Sequence, residues 1–521
     1  MGLKIKKSHF FLILFAVLAL FLTTNIHQVS AAQKEFRVGM EAGYPPFNWT
    51  QVDDSGGAVK IDGSKQYANG YDVQIAKIIA NKLDRKLVIV KTVWDGLAPA
   101  LTSGKIDAII AGMSPTPERR KTVDFSNPYL VSKAIMIVRK NSAYANATSI
   151  QDFKSAKITS QLSTFLYDLI PQIKDVKQET AMNDFSAMRT ALQSGVIDGY
   201  VAQEPEGISV ENAMPSLKMI KFSNGKGFKT DSSDDASAVG LKKNSPDMAK
   251  INQILAGISK SKREKMMTWA VKHQPQTSDK KVNWFINIFQ KYGSLLLNGT
   301  LTTLWISLIG TIVGFLIGLL VGIIRTVPLS KSKGKKIGQK ILNAFFWLYI
   351  EIFRGTPMMV QAAIFYYGLA QAFQINVNKL AAALLIVSIN TGAYMAEIMR
   401  GGIEAVDPGQ KEGAMALGMS HFQMMRKVIL PQAVRNSLPA VGNEFVINIK
   451  DTSVLSIISV TELFFNGQTI AGQTYQFFQS FFVISIIYLF LTFTVTQILK
   501  FIERKMAGPK NYNLMANQLQ V

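Results

Sequence analysis

The side chains of this chain that can do chemistry are few and mostly charged. Arg119 follows the helix-opening segment Pro115-Thr116-Pro117-Glu118, and its planar guanidinium can hold a carboxylate through two parallel hydrogen bonds; a surface arginine there would instead pair with Glu118 or Asp124. Gly112 and Ser114 stand just before it, where an apolar run over residues 106–110 gives way to a loop. Glu41 ends a first apolar run, 36–40. Farther on, Glu412 opens a polar, helix-favouring stretch that bends at Gly418 and reaches Pro431. Glu397, Glu444, Lys450 and Asp451 lie in or beside long apolar runs, where a charge is expensive and is either functional or paired. The absences narrow the field. There is no cysteine, which excludes disulfides, thiolate metal sites and cysteine nucleophiles. Four histidines, none at helical ligand spacing, argue against a metal site. No GxxxxGK followed by Ser or Thr occurs, the segments starting at Gly225 and Gly334 having the wrong spacing, so the sequence carries no phosphate-cradling loop of that type.

The elements that position these residues fall into two halves of the 521-residue chain. Residues 33–280 mix polar and apolar residues as a soluble domain does; from Trp284 onward, apolar runs long enough to span a bilayer alternate with short polar stretches. The net charge of +22 comes from the first segment, from loops flanking apolar runs and from scattered lysines; no basic stretch is interleaved with aromatics, so a nucleic-acid partner is excluded. Lys4, Lys6 and Lys7, an apolar run 10–22 and small residues at Ser30, Ala31 and Ala32 read as a signal peptide over 1–32, with an uncleaved anchor as the alternative. Residue 33 onward then emerges outside the cytoplasm. In the soluble half, strands at 36–40, 87–93 and 106–112 alternate with helices starting at Asp72, as N-cap, and at Leu97; the alternation restarts after Asn141. Two α/β lobes with a cleft between them follow, with ligand chemistry at strand ends.

The stretch VWDGLAPALTSGKIDAIIAGMSPTPERRKTVDFSNPY, with GYDVQIAKIIANKL before it, resembles the polar amino acid family of periplasmic-type binding proteins over roughly residues 34–275. The resemblance implies two lobes joined by two hinge strands (type II), near 135–140 and 217–222, closing on a free amino acid. It assigns the carboxylate clamp to Arg119 and contacts with the ligand backbone to Gly112, Ser114, Ser163 and Thr164, with Phe165 replacing a threonine of the family. It puts the ammonium acceptor at Gln203, with Glu204 next; Glu204 is preferred, because an uncompensated buried ammonium is costly. Tyr44 and Trp94 match aromatics that sandwich the ligand side chain, while Phe47 and Trp49 read as core or pocket rim. Glu41 matches an acid reaching the ligand's distal group, which leaves Lys, Arg, His and Gln open and disfavours an acidic ligand.

Beyond a linker at 277–292, residues 293–505 suggest an all-α domain of five spans near 295–324, 345–370, 380–403, 438–462 and 478–502. The basic loop after the first span reads as cytoplasmic, which places the 404–436 loop and the 506–521 tail on the same side. Within that loop Glu412, Ala414, Gly418, Leu430 and Pro431 resemble the EAA motif of ABC importer permeases, with Gly413 where alanine is usual; Pro431 is expected to end its second helix. Residues 353–361, FRGTPMMVQ, resemble a segment common in amino acid permeases. The resemblance implies a receptor fused to a permease in a cell membrane, fitting a Gram-positive bacterium. Its partners would be a separate ABC ATPase subunit carrying ATP and Mg, a second copy of this chain, the bilayer and a free amino acid, with no cofactor in the chain itself. The alternatives are an amino-acid-gated channel, which would want a carbonyl-lined filter, and a sensory receptor or enzyme on the same binding fold.

Overall fold

The computed structural model describes residues 34–506 except 224, 232, 276–282, 374, 376 and 475; the expected signal peptide, the first part of the linker and nearly all of the tail lie outside the described residues. The first lobe is a five-stranded sheet in which Glu35–Met40 lies between Lys86–Lys91 and Ala108–Ile109, all parallel, followed by Ala236–Lys242, which runs antiparallel to both its neighbours, and Val123–Val131 at the edge. Its central strands, Glu35–Met40, Ala108–Ile109 and Ala236–Lys242, are largely buried, as apolar runs in a helix-covered sheet should be. The second lobe orders Lys177–Gln178, Lys157–Thr159, Gly199–Gln203, Ala134–Arg139 and Leu217–Ile220. The chain passes between lobes at residues 132–133 and again between Ile220 and Ala236, where the Ser132 amide donates to the Asp235 carbonyl at 2.7 Å. The first crossover precedes the span expected, because Ala134–Arg139 already pairs with Leu217–Ile220 inside the second sheet, while the return leaves that sheet after Ile220, within the expected 217–222.

The helix expected to start at Asp72 runs Tyr71–Lys82 with Gly70 at its cap. Gly70 has φ of 128°, and a Cβ there would overlap the Phe47 carbonyl, so glycine sets the entry and Asp72 is drawn inside the first turn. Asp72 is fully buried; its carboxylate accepts from Asn48 Nδ2 at 2.7 Å and Tyr129 Oη at 2.9 Å, and burial pushes its carboxyl up to about 7.

The helical half is organised by the helix Trp284–Thr326 packed on Lys379–Glu404. Gly310, Gly314, Gly318 and Gly322 recur every fourth residue on the contact, and a Cβ at each would collide with Val387, Thr391, Met395 and Met399 in turn. This stripe lets two backbones approach where apolar side chains gain nothing by leaving lipid. Among the described residues, three helices are long and apolar enough to cross a membrane (Trp284–Thr326, Lys379–Glu404 and Phe477–Lys505), or four if the bent pair His421–Ile458 and Leu463–Thr474 counts as one. The expected five spans are not reached by continuous helices. The segment expected at 345–370 is broken: Lys333–Gly355 stops at extended Thr356 and Pro357, and Met358–Ala363 begins anew. Gln361 Nε2 donates to the carbonyls of Phe353 (3.0 Å) and Thr356 (2.9 Å), and Asn390 Nδ2 to that of Phe353 (3.0 Å), satisfying backbone oxygens the break exposes. Trp284–Thr326 also takes up residues expected as linker.

Candidate functional site

Between the lobes lies a pocket walled by Tyr44, Trp94, Gly112, Ser114 and Arg119 of the first lobe and by Gln161, Thr164, Phe165, Leu166, Phe185 and Gln203 of the second. Its free volume is about 20 Å³. That holds a water-sized body and no more, so the lobes are closed and a larger ligand enters only when they part.

Arg119 spans the closure. It sits in the short helix Pro117–Arg120, whose N-cap Thr116 accepts from its amide; its Nη1 donates to the Ser114 carbonyl and its Nη2 to the Ser163 carbonyl of the other lobe, both at 2.9 Å. Its Cζ lies 5.1 Å from the centre of the Trp94 ring, and burial draws its pKa down to about 10. Gly112 has φ of 65°, and its amide donates to Tyr129 Oη at 2.9 Å, the hydroxyl that in turn donates to Asp72. A buried acid on the first helix therefore holds the ligand loop through a tyrosine, a link invisible in spacing. The Ser114 hydroxyl donates to the Asp234 carbonyl at 2.8 Å, close to the hinge.

The second lobe meets these groups at the end of strand Lys157–Thr159. Thr164 is buried, its hydroxyl donating to the Gln161 carbonyl at 2.7 Å; Ser163 is exposed with φ of 58° and offers its carbonyl to Arg119 rather than a hydroxyl to the pocket wall. Gln203, buried at the end of Gly199–Gln203, faces the pocket. Glu204 is the first residue of the helix Glu204–Ala213 and pairs with Lys221 on the surface. The preference for Glu204 is thus corrected: strand alternation turns residue 203 inward, and the helix start carries 204 out.

Tyr44 stacks on Phe47 (4.8 Å between centres) and on Phe185 of the opposite lobe (4.2 Å). Gln161 and Phe185 were not anticipated; position after a strand end and after the helix N-cap Asp184 is the signal that points to them. Glu41 is half-buried outside this pocket, behind Gln161, whose Nε2 approaches its carboxylate at 3.4 Å. Desolvation, then the Asp184 carboxylate, pushes Glu41 up to about 8.

In the second candidate region the helix Pro408–Ala416 ends at Gly418, whose φ is 72°. The Gly418 amide donates to the Met415 carbonyl (2.9 Å) and the Met419 amide to that of Ala414 (3.1 Å), a Schellman closure. Ala414 is buried, while Glu412, Met415, Leu417 and Phe422 face outward, Leu417 being 79% exposed. Pro431 does not end the second helix. A π-turn over Met425–Ile429 widens the backbone ahead of the proline, and the helix continues as Leu430–Asp451. Of the charges in the apolar half, Glu397 is paired, with Arg325 and, at 2.9 Å, with Arg400.

A two-lobed solute-binding domain joined to a helical permease domain is what this geometry defines. Residues 36–269 match the family described as bacterial extracellular solute-binding proteins, family 3, and residues 337–508 match the binding-protein-dependent transport system inner membrane component. The chain is 38% identical over 213 residues to the glutamine transport system permease protein GlnP of Escherichia coli K12, covering 41% of this chain and 93% of that one. It is 36% identical over 165 residues to the arginine transport system permease protein ArtQ of Bacillus subtilis 168, covering 31% and 75%. A solved substrate binding protein of an amino acid ABC transporter aligns at 28% identity and a TM-score of 0.39, covering 46% of this chain and 99% of that one. The chain belongs to the binding-protein-dependent transport system inner membrane components, and it carries its solute-binding domain in the same polypeptide.

Proposed function

We propose that this chain is the receptor and translocating subunit of an ATP-driven importer, with the binding domain outside the cell and a polar or cationic L-amino acid as cargo. One observation carries the reading: the same chain holds a two-lobed pocket whose one charged wall residue, among the described residues, is Arg119, and an exposed helix–glycine–helix segment at Glu412–Pro431. Arg119 takes the carboxylate, Gln203 accepts from the ammonium through its amide oxygen, and the side chain points past Gln161 toward Glu41. The names of the relatives, glutamine and arginine permeases, agree with a carboxamide or a guanidinium there. The outward side chains Glu412, Met415, Leu417 and Phe422 meet a separate ATPase subunit, which supplies ATP and Mg. Counting the broken segment 333–373 as one pass gives five passes and puts that face in the cytoplasm; two copies of the chain with two ATPases complete the pathway. The test is reconstitution with the ATPase in liposomes: arginine or glutamine outside should stimulate hydrolysis and accumulate inside. Glu412→Lys should abolish both; unchanged uptake would remove the coupling assignment.

A further inference from the structure

The membrane domain meets the binding domain at the mouth of its cleft, through the helix Leu463–Thr474. Lys91, at the end of strand Lys86–Lys91 in the first lobe, donates to Thr50 Oγ1 at 3.2 Å and to Thr469 Oγ1 of that helix at 2.6 Å, and its Nζ lies 5.1 Å from the centre of the Phe465 ring. Ser186, in the helix Phe185–Gln193 of the second lobe, donates to the Ala471 carbonyl at 3.2 Å. Gly43 meets Gly472 backbone to backbone: a Cβ on Gly472 would stand 3.8 Å from the Gly43 Cα. These contacts surround a cavity of about 430 Å³ bounded by Glu41, Trp94 and Asp184 on one side and Phe464, Phe465 and Gln468 on the other. Trp94 is a wall of both this cavity and the ligand pocket.

We propose that the helix Leu463–Thr474 is the docking ridge for the binding domain of the same chain, gripping both lobes across the cleft mouth with Lys91 as its pin. The proposal rests on the importer reading above. Thr469 and Ala471 lie on one rigid helix, so Lys91 and Ser186 reach them together only at the closed separation of the lobes; docking then favours the closed, loaded receptor over the open one. The pin is built to release. Lys91 spends its charge on two hydroxyls and a ring face, and burial draws its pKa down to about 7, against the pull of Glu41. Withdrawal of the helix returns the ammonium to water, which solvates it better than two hydroxyls and a ring face do.

The cysteine-free chain makes the test direct. Gly43→Cys with Gly472→Cys places two thiols on neighbouring backbones, a Cβ on Gly472 standing 3.8 Å from the Gly43 Cα, which keeps the two Cα atoms under the ~7 Å beyond which a disulfide cannot form without backbone movement. The full-length double variant, with a protease site added between the domains, is oxidised in membranes with and without saturating arginine or glutamine. The expected result is a bond that keeps the two fragments together after cleavage, forms faster with amino acid present, and halts uptake until reduced. Titration of the reduced variant with amino acid confirms folding, and Ser186→Cys with Ala471→Cys repeats the test from the other lobe. No bond under any condition, a bond joining two copies, or a rate indifferent to amino acid overturns the proposal. If amino-acid-stimulated ATP hydrolysis persists in that event, the importer reading stands without it. As a functional check, Thr469→Val should raise the KM for uptake several-fold and leave amino acid affinity unchanged.

Discussion

Arg119→Ala is the substitution with the most at stake. Arg119 is the one charged side chain among the described residues of the pocket wall, its two Nη atoms bridge the lobes through the Ser114 and Ser163 carbonyls at 2.9 Å, and its Cζ sits 5.1 Å from the Trp94 ring centre. Truncation removes the partner proposed for the ligand carboxylate and takes the Arg119 donor from both carbonyls. Losing one member of a buried charge pair costs about 2–5 kcal/mol, and each tenfold in affinity is about 1.4 kcal/mol, so Kd should rise roughly 30- to 4,000-fold. Arg119→Lys keeps the charge and loses the fork, and should fall between. Calorimetric titration of the full-length protein in detergent against arginine and glutamine reads the change, with thermal unfolding as the check that the lobes remain folded. A loss under fivefold in a folded variant would refute the clamp and show that the carboxylate is held elsewhere.

The remaining outcomes concern the other groups of the two sites. Gln203→Ala should weaken binding by about 1–3 kcal/mol, the cost of an unmet buried partner, and Glu204→Gln should leave it unchanged; the reverse order would restore Glu204 as acceptor. Burial raises Glu41 to about 8, so a cationic side chain that selects its ionised form should bind up to about tenfold more tightly per pH unit on approach to 8, while glutamine binds evenly. Glu41→Gln should abolish that slope, and an even profile for arginine as well would separate Glu41 from the cargo. Gly418→Ala places a Cβ at φ of 72°, in open space, so its cost is the left-handed backbone alone, roughly 1–2 kcal/mol. ATPase association in a pull-down should weaken accordingly. Gly413→Ala, also in open space on a helix, should stabilise by about 0.5–1 kcal/mol and keep transport intact.

Much of this was legible without coordinates. The run 36–40 ending at Glu41, the segment Pro115–Arg120 and the alternation of strand and helix define two lobes and place Arg119 at a strand-to-helix loop, because buried parallel strands and capped helices are encoded within a few residues of themselves. Apolar length separates the two halves of the chain for the same reason, and the Glu412 to Gly418 spacing marks a helix closed by a left-handed glycine.

Other features depend on residues far apart in sequence. Gln203 replaces Glu204 because the pocket lies on one face of a strand whose direction is set by its neighbours. Asp72 is a buried anchor for Gly112 rather than a cap, because Gly70 packs against Phe47 and Tyr129 arrives from another strand. The broken segment at Thr356–Pro357 survives because Gln361 and Asn390 supply donors from two helices, and Lys91 meets Thr469 across 378 residues of chain. Local pattern determines which elements form and roughly where they end. Which side chains share a pocket, a pin or a hydrogen bond is decided only when those elements pack, since packing is a property of surfaces that the linear order does not contain.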